Sequence, residues 1–341
     1  MAIGDMPLFW RRCLAGETKP DLRNVTLRSD YCHVWRSDSL LAKLGWLGVM
    51  LSRTLHTQPL TDHERPRVFQ GCKGKVVRTN GQVIEPRSLL EVLSTPHVQR
   101  MLKISQAGVE TQQEDGAWII RLLNPDTGEP LDLSPKMIVL SAGDGNQALR
   151  LMFGLPRRRM KVRHVHMVMV RGELPMINGH CIDGIRSHLT ISTTTDYARR
   201  RVWLIYSKLA SNPEVSPEEL ILRTASKLRS VLPSVDLDSM EFTTYRTTRV
   251  VHGMKQTDIS LLVEGGILTC WPSEMTLAPR LANKIGQHIT SLSNAPTVTQ
   301  SLVDAIEVKA VASWPRPTVA LPPWETDQPW TTIDTLSTVV G

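Results

Sequence analysis

His164 and His166 flank Val165 in a run that alternates apolar and polar positions, so on an extended strand both imidazoles point to one side. Such a pair could move a proton or hold an anion. It could equally be the polar rib of a half-buried sheet. His180 follows in Asn178-Gly179-His180-Cys181, a stretch that reads as a loop between strands, where an imidazole can meet a ligand. Arg246 and Arg249 lie on a later extended run, and a guanidinium pairs bidentately with carboxylate or phosphate. Their spacing of three sets them on opposite strand faces, and Arg249, nearer the following loop, is the candidate anion clamp. The other reading is a solvated strand arginine. There is no GxSxG elbow and no HExxH. The cysteines at 13, 32, 72, 181 and 270 form no CxxC pair. Zinc chemistry and a disulfide framework are therefore set aside, no metal site is expected, and Cys270 reads as a core thiol.

These residues need elements to carry them. A short helix is expected at Leu8–Leu14, closed by Gly16, and an apolar helix at Leu40–Leu55, with short strands at Val25–Leu27 and Tyr31–Trp35. Asn80-Gly81 between Val76–Val77 and Val83–Ile84 predicts a hairpin, and Pro86 opens a helix. Met101–Ser105 reads as a strand, and Val109–Gln113 with Ala117–Leu123 as a hairpin around Glu114-Asp115-Gly116. Met137–Ser141 is a continuous apolar strand of the kind buried on both faces. It runs into Ala142-Gly143-Asp144-Gly145-Asn146 and a helix, a geometry that offers backbone N–H groups to an anion. Val165–Arg171, His188–Thr193, Arg201–Tyr206 and Phe242–Val250 read as sheet strands, interrupted by a helix that Ser216 caps and Pro217 opens. Gly266–Trp271 is a further strand before a helix at Met275–Leu292.

The chain has 341 residues, 40 Lys plus Arg against 33 Asp plus Glu, and 41% apolar residues. That is a globular composition with room for two domains, and it excludes collagen-like and wholly disordered classes. The excess of +7 is uneven: Arg150–Arg201 holds eleven basic and three acidic residues, whereas Pro296–Gly341 holds two and five. No aromatic interleaving or helix-turn-helix accompanies the basic stretch, so nucleic acid is not an expected partner. Arg157-Arg158-Arg159 and Arg199-Arg200-Arg201 read as solvated turns, and they also allow a peripheral membrane contact. No leader peptide is evident and Leu40–Leu51 is too short to span a bilayer, which points to a cytoplasmic protein. After Ala295, six Pro and eight Thr without periodicity predict an extended or partly disordered tail, Trp314 to Trp330 included.

Four stretches in this order resemble the D-amino-acid-oxidase-like FAD-dependent oxidoreductases, the group of glycerol-3-phosphate dehydrogenases and malate:quinone oxidoreductases. They are Val83-Ile84-Glu85-Pro86-Arg87-Ser88-Leu89-Leu90, Met137 to Gly143, His164 to Arg171, and Gly266 to Thr276. The resemblance runs from residue 2 to about 293. It implies an α/β fold: part of an FAD-binding Rossmann-like domain interwoven with an antiparallel-sheet substrate domain. In that scheme residues 1–100 form a mostly helical part shared by both domains. Residues 101–156 and 263–295 belong to the FAD-binding domain, 157–262 form the substrate domain, and 296–341 form the tail. Lys103 and Ile104 would border the adenine. Ser141, Ala142 and Gly143 would approach the dinucleotide, while Pro272, Ser273, Glu274, Met275 and Thr276 would face the ribityl and pyrimidine side. The implied activity is oxidation of a small CH–OH or CH–NH substrate, with His166 or His180 taking the proton and Arg249 holding the anionic end.

The family opens with a strand, a GxGxxG turn and a helix that cradles the FAD pyrophosphate. Gly45-x-x-Gly48, Gly71-x-x-Gly74 and Gly143-x-Gly145 do not meet that pattern. The resemblance therefore implies a shortened enzyme with impaired FAD binding, or a non-catalytic or split-enzyme subunit whose partner chain brings the phosphate-binding unit.

Overall fold

The computed structural model describes residues 5–37, 40, 42, 43, 46, 57–156, 160–182, 187–207, 215–252, 259–272, 274–292 and 311–340. The chain divides into two units, each assembled from three stretches. Unit 1 takes Met1–Trp10, Glu91–Arg163 and Arg249–Val319, and unit 2 takes Arg11–Leu90, His164–Thr248 and Ala320–Gly341. Both mix helices with sheets, so the fold is α/β. Among the described residues no helix is long and apolar enough to cross a membrane.

Unit 2 carries most of an eight-stranded sheet. In chain order its strands are β2 (Cys32–Arg36), β3 (Thr57–Pro59), β4 (Val76–Thr79), β10 (Met160–Gly172), β11 (Gly179–Ile182), β12 (Ser187–Thr195), β13 (Arg201–Ser207) and β14 (Glu241–His252). Across the sheet the order is β14-β10-β13-β12-β11-β2-β4-β3. The expected antiparallel pairing of β10, β13 and β12 is present, whereas β11 runs parallel to β2. Gly179 permits that approach, because a Cβ there would lie 1.9 Å from the His33 carbonyl oxygen. A two-stranded ribbon, β1 (Leu27–Ser29) with β5 (Val83–Ile84), lies apart from the large sheet.

Val168, Ile205, Ile191, Gly179 and His33 stand opposite one another in successive strands, so they share one face. One helix of Pro217–Val231 covers that face. It starts where Ser216 Oγ accepts the Glu219 N–H at 3.2 Å, with Pro217 in the first turn. Its apolar residues recur at helical spacing, and Leu220, Ile221, Ala225 and Leu228 join Trp35, Val168, Ile191, Trp203 and Ile205 in the main core. At roughly 1.5–3 kcal/mol for each fully buried large apolar side chain, this packing is the main stabilising term of unit 2.

Unit 1 holds two small sheets. In the first, β6 (Val109–Glu114) and β7 (Ala117–Leu123) form the expected hairpin, and β8 (Pro130–Leu133) joins β7. Asp115 and Gly116 both take positive φ, 47° and 81°, as a type I′ turn requires. In the second, β15 (Ile259–Glu264), β16 (Ile267–Pro272) and β9 (Ile138–Leu140) lie in the order β15-β16-β9, with β9 parallel to β16. Ile138, Leu140, Phe153 and Ile267 pack with Trp118, Ile120, Leu149 and Leu155. Arg150, 1% exposed, spans this core. It donates to Thr269 Oγ1 at 2.8 Å, to the Pro156 carbonyl at 3.0 Å and to Glu264 Oε2 at 2.6 Å.

The helices are numbered α1 (Met6–Leu14), α2 (Pro86–Ser94), α3 (Asn146–Met152), α4 (the Pro217–Val231 helix), α5 (Ala278–Leu292) and α6 (Ile333–Val340). Five expectations are corrected. The first hundred residues, expected to be mostly helical, carry β1 to β5 as well as helices. The Asn80-Gly81 hairpin does not form, since β4 pairs with β2 and β3 while β5 pairs with β1. Neither Asn80 nor Gly81 adopts the positive φ of a type I′ turn, so tertiary pairing overrides the local signal. Met101–Ser105 is not a strand, because its backbone bonds the later chain instead: the Lys103 N–H donates to Pro315 O at 2.9 Å and Lys103 O accepts Trp314 Nε1 at 2.8 Å. The strand at 138–140 is not buried on both faces, for Val139 is 38% exposed, and among the described residues it lies at a sheet edge.

The fifth correction is the tail. Trp314 and Trp324 are buried, and the Thr331 backbone bridges Phe242. Arg171 lies 4.0 Å over the Trp330 ring while holding Glu241 at 2.8 and 3.1 Å. Helix α6 then places Ile333 and Leu336 in the unit 2 core. Isolated aromatic anchors do this work, which a test of periodicity does not detect. Residues 296–310, and most of the helix expected at Leu40–Leu55, lie outside the described residues.

Candidate functional site

The sheet register sorts the histidines. His180 stands opposite Thr190, and Thr190 opposite Tyr206, so these three share the face that α4 does not cover. His166 lies two residues from Val168 and points to the covered face. The two imidazoles thus lie on opposite sides of one sheet. His180, expected in a loop, sits on a central strand, and His164 is exposed while His166 is 6% exposed.

The uncovered face has apolar ends and a polar middle. Trp46 packs with Val34, Val77 and Ile182 on one flank, and Trp324 packs with Met169 and Val202 on the other. Between them His180, Thr190, Ser192 and Tyr206 remain at least partly accessible. His180 Nδ1 lies 2.9 Å from Thr190 Oγ1, which orients the ring. The His180 ring reaches solvent, yet the protein packed around it lowers its pKa below the ordinary imidazole value. It is therefore neutral near pH 7 and able to accept a proton. His166 is also pushed down, by burial first and then by the Arg246 charge, and its Nε2 has no hydrogen-bond partner among the described residues.

In unit 1 the candidate residues gather at the carboxyl ends of β9 and β16, where parallel sheets take ligands. Gly143 adopts φ +60°, and a Cβ there would meet nothing within 4 Å. A left-handed glycine in open space fits the close approach of an extended cofactor. After β16, Glu274 stays extended and a 3-10 turn, Met275–Leu277, leads into α5. Trp10 Nε1 donates to Thr276 O at 3.0 Å and fixes that turn. Arg249 lies 3.7 Å from Glu274. Lys103 and Ile104 are exposed, and Ser273 lies outside the described residues. Strand β9, the Gly143-Asp144-Gly145 turn and α3 follow one another, without the third glycine of a GxGxxG pyrophosphate cradle. The fit to FAD is thus good at the strand ends and incomplete at the phosphates.

The chain is homologous to an FAD-dependent oxidoreductase. It is 27% identical over 334 residues to the "probable FAD-dependent oxidoreductase" of Pseudomonas aeruginosa, covering 95% of this chain and 81% of that one. The crystal structure of the FAD-dependent oxidoreductase from that organism superposes with a TM-score of 0.75 at 25% identity, covering 95% of this chain and 82% of that chain. Iminodiacetate oxidase from Chelativorans sp. BNC1 matches with a TM-score of 0.59 at 16% identity, covering 83% and 80% of the two chains, and so shares the fold. L-proline dehydrogenase from P. horikoshii does likewise, with a TM-score of 0.60 at 10% identity, covering 85% and 78%. No protein-family model matches the chain.

Sequence reasoning missed Thr190 and Tyr206. Hydroxyl residues on strands are common, and only the register that sets Thr190 beside His180, and Tyr206 beside Thr190, singles them out.

Proposed function

We propose that the chain is an FAD-dependent oxidoreductase acting on a small substrate at a CH–OH or CH–NH group. The observation that carries this reading is the accessible His180–Thr190–Tyr206 row on the uncovered sheet face, in a chain homologous to FAD-dependent oxidoreductases. Bound FAD supplies a two-electron acceptor for the substrate carbon. His180 takes the hydroxyl or amine proton, held in place by Thr190, and the Tyr206 hydroxyl orients the same group. His166 has no part in this, being buried on the other face. Arg249, paired with Glu274, supports the Pro272–Thr276 turn or clamps an anionic group. Ser141 to Gly143 and Pro272 to Thr276 line the cofactor, and Lys103 with Ile104 border its adenine end.

Flavin retention by this chain alone is weak in this proposal, because nothing described cradles the pyrophosphate. The outer edge of β9 carries no strand among the described residues. A second reading is that an upstream segment or a partner chain adds a strand, glycine-rich loop and helix. The test is turnover of amine and alcohol substrates with an electron-accepting dye, in FAD-loaded protein with and without such a segment. His180→Asn should lower kcat by about 10²–10⁴-fold, whereas His166→Asn should leave it near the wild-type value. Wild-type activity should fall as pH drops through the His180 pKa, below that of free imidazole. An unchanged rate in His180→Asn would sink the assignment.

A further inference from the structure

Asn146 opens α3, directly after the turn that leaves β9, and it is 0% exposed. A buried amide needs partners for both of its ends. Asn146 Oδ1 accepts the Ala142 N–H at 2.7 Å, and Nδ2 donates to the Cys270 carbonyl at 3.1 Å. The parallel pairing of β9 with β16 ends at Leu140 and Thr269. Just beyond that point a single side chain takes the place of the next rung of the ladder. The rung has a direction, with its acceptor end toward the turn after β9 and its donor end toward β16. It lies at the carboxyl ends of a parallel pair, and the two stretches it ties run into Gly143 on one side and the Pro272–Thr276 turn on the other.

We propose that Asn146 is a positioning residue of the flavin site, setting the spacing between these two backbone stretches without touching the cofactor. The proposal rests on the FAD reading above. It also commits the Ala142 N–H to Asn146, so that this donor is not offered to an anion, and Gly143 is left as the backbone that approaches a ligand.

The experiment titrates FAD into the full chain, following flavin fluorescence and the visible absorption band. Asn146→Ala should bind FAD at least ~10-fold more weakly, the loss expected from about 1.4 kcal/mol of lost preorganisation. Its bound band at saturation should be displaced from the wild-type position. Thr111→Val is the stability control, since it removes only the 2.6 Å bond from Thr111 Oγ1 to Met152 O in the same unit. Its thermal midpoint should fall while its FAD affinity and band stay as in the wild type.

Asn146→Asp adds a pH signature. At about pH 8 its carboxylate should face the Cys270 carbonyl and repel it. At about pH 5, nearer the raised pKa of a buried carboxyl, the protonated group can donate to Cys270 O and accept from Ala142, so FAD affinity should return toward the wild-type value. Wild-type affinity and band position in Asn146→Ala, or an equal affinity loss in Thr111→Val, would overturn the positioning role and leave the FAD reading standing. No FAD binding by the wild-type chain, either alone or with an added strand, glycine-rich loop and helix segment, would overturn the FAD reading and this proposal with it.

Discussion

Unit 2 buries its strands under apolar mass, whereas unit 1 holds its strands with a few polar latches. In unit 2 one sheet face lies under α4 and α6, and Trp46 and Trp324 pack the two flanks of the other. In unit 1 the sheet of β15, β16 and β9 has a short core, and Val139, Leu151, Val263 and Ile289 of this unit are 38–49% exposed. Arg150 and Asn146 do there what Leu and Trp do in unit 2. A buried ion pair and a buried amide fix geometry closely, but they leave little reserve when one partner is lost. Unit 1 is thus shaped around strand ends, and unit 2 around a stable platform for a polar strip.

Three perturbations sharpen the contrast. The largest effect is expected from Glu264→Ala, which leaves the Arg150 guanidinium buried without its carboxylate. A cost of about 3–5 kcal/mol should open unit 1 first, seen as early hydrogen exchange in 138–152 and 259–272 while β10 to β13 stay protected. Simultaneous loss of protection in both units would refute the division of labour.

Acid should act next, and on unit 2. His33, 4% exposed and edge-on to Phe69, has its pKa pushed down to about 4, by burial first and then by the Arg78 charge. The unfolded chain binds this proton near pH 6.5 and the folded one only near 4. Its contribution is therefore complete above pH 6.5 and is lost as pH falls toward 4. The shift corresponds to roughly 3 kcal/mol. Denaturant midpoints between those limits should slope with pH in the wild type and flatten in His33→Leu. The smallest effect is Ser216→Ala, which removes the α4 cap at a cost of about 1 kcal/mol. Calorimetry should place the loss in unit 2 alone.

Local chemistry was legible where it acted locally. The Ser216-Pro217 start of α4 and the Asp115-Gly116 turn need only their own residues. The strands β10, β12, β13 and β16 show as long or apolar runs. Asn80-Gly81 misled because the pairing of β4 with β2 outweighs a turn preference. The tail misled because Trp314, Trp324 and Trp330 anchor singly. For the candidate site, residue types were readable but faces were not. His166 and His180 are separated by strand register, which a single chain does not display, and Tyr206 gains meaning only opposite Thr190. Asn146 looked like one more polar turn residue until both ends of its amide were traced.

The burial of α6 in the unit 2 core has a consequence for synthesis. Leu336 and Trp35 belong to one cluster, so about 300 residues separate the first and last contributions to that core and must be made before it can close. At ~5–20 residues per second, that stretch takes roughly 15–60 s. For most of that time the strands of the large sheet wait without their final cover. The newborn chain therefore has a long window in which it depends on chaperones or on staying soluble unfinished, a demand set by where α6 packs.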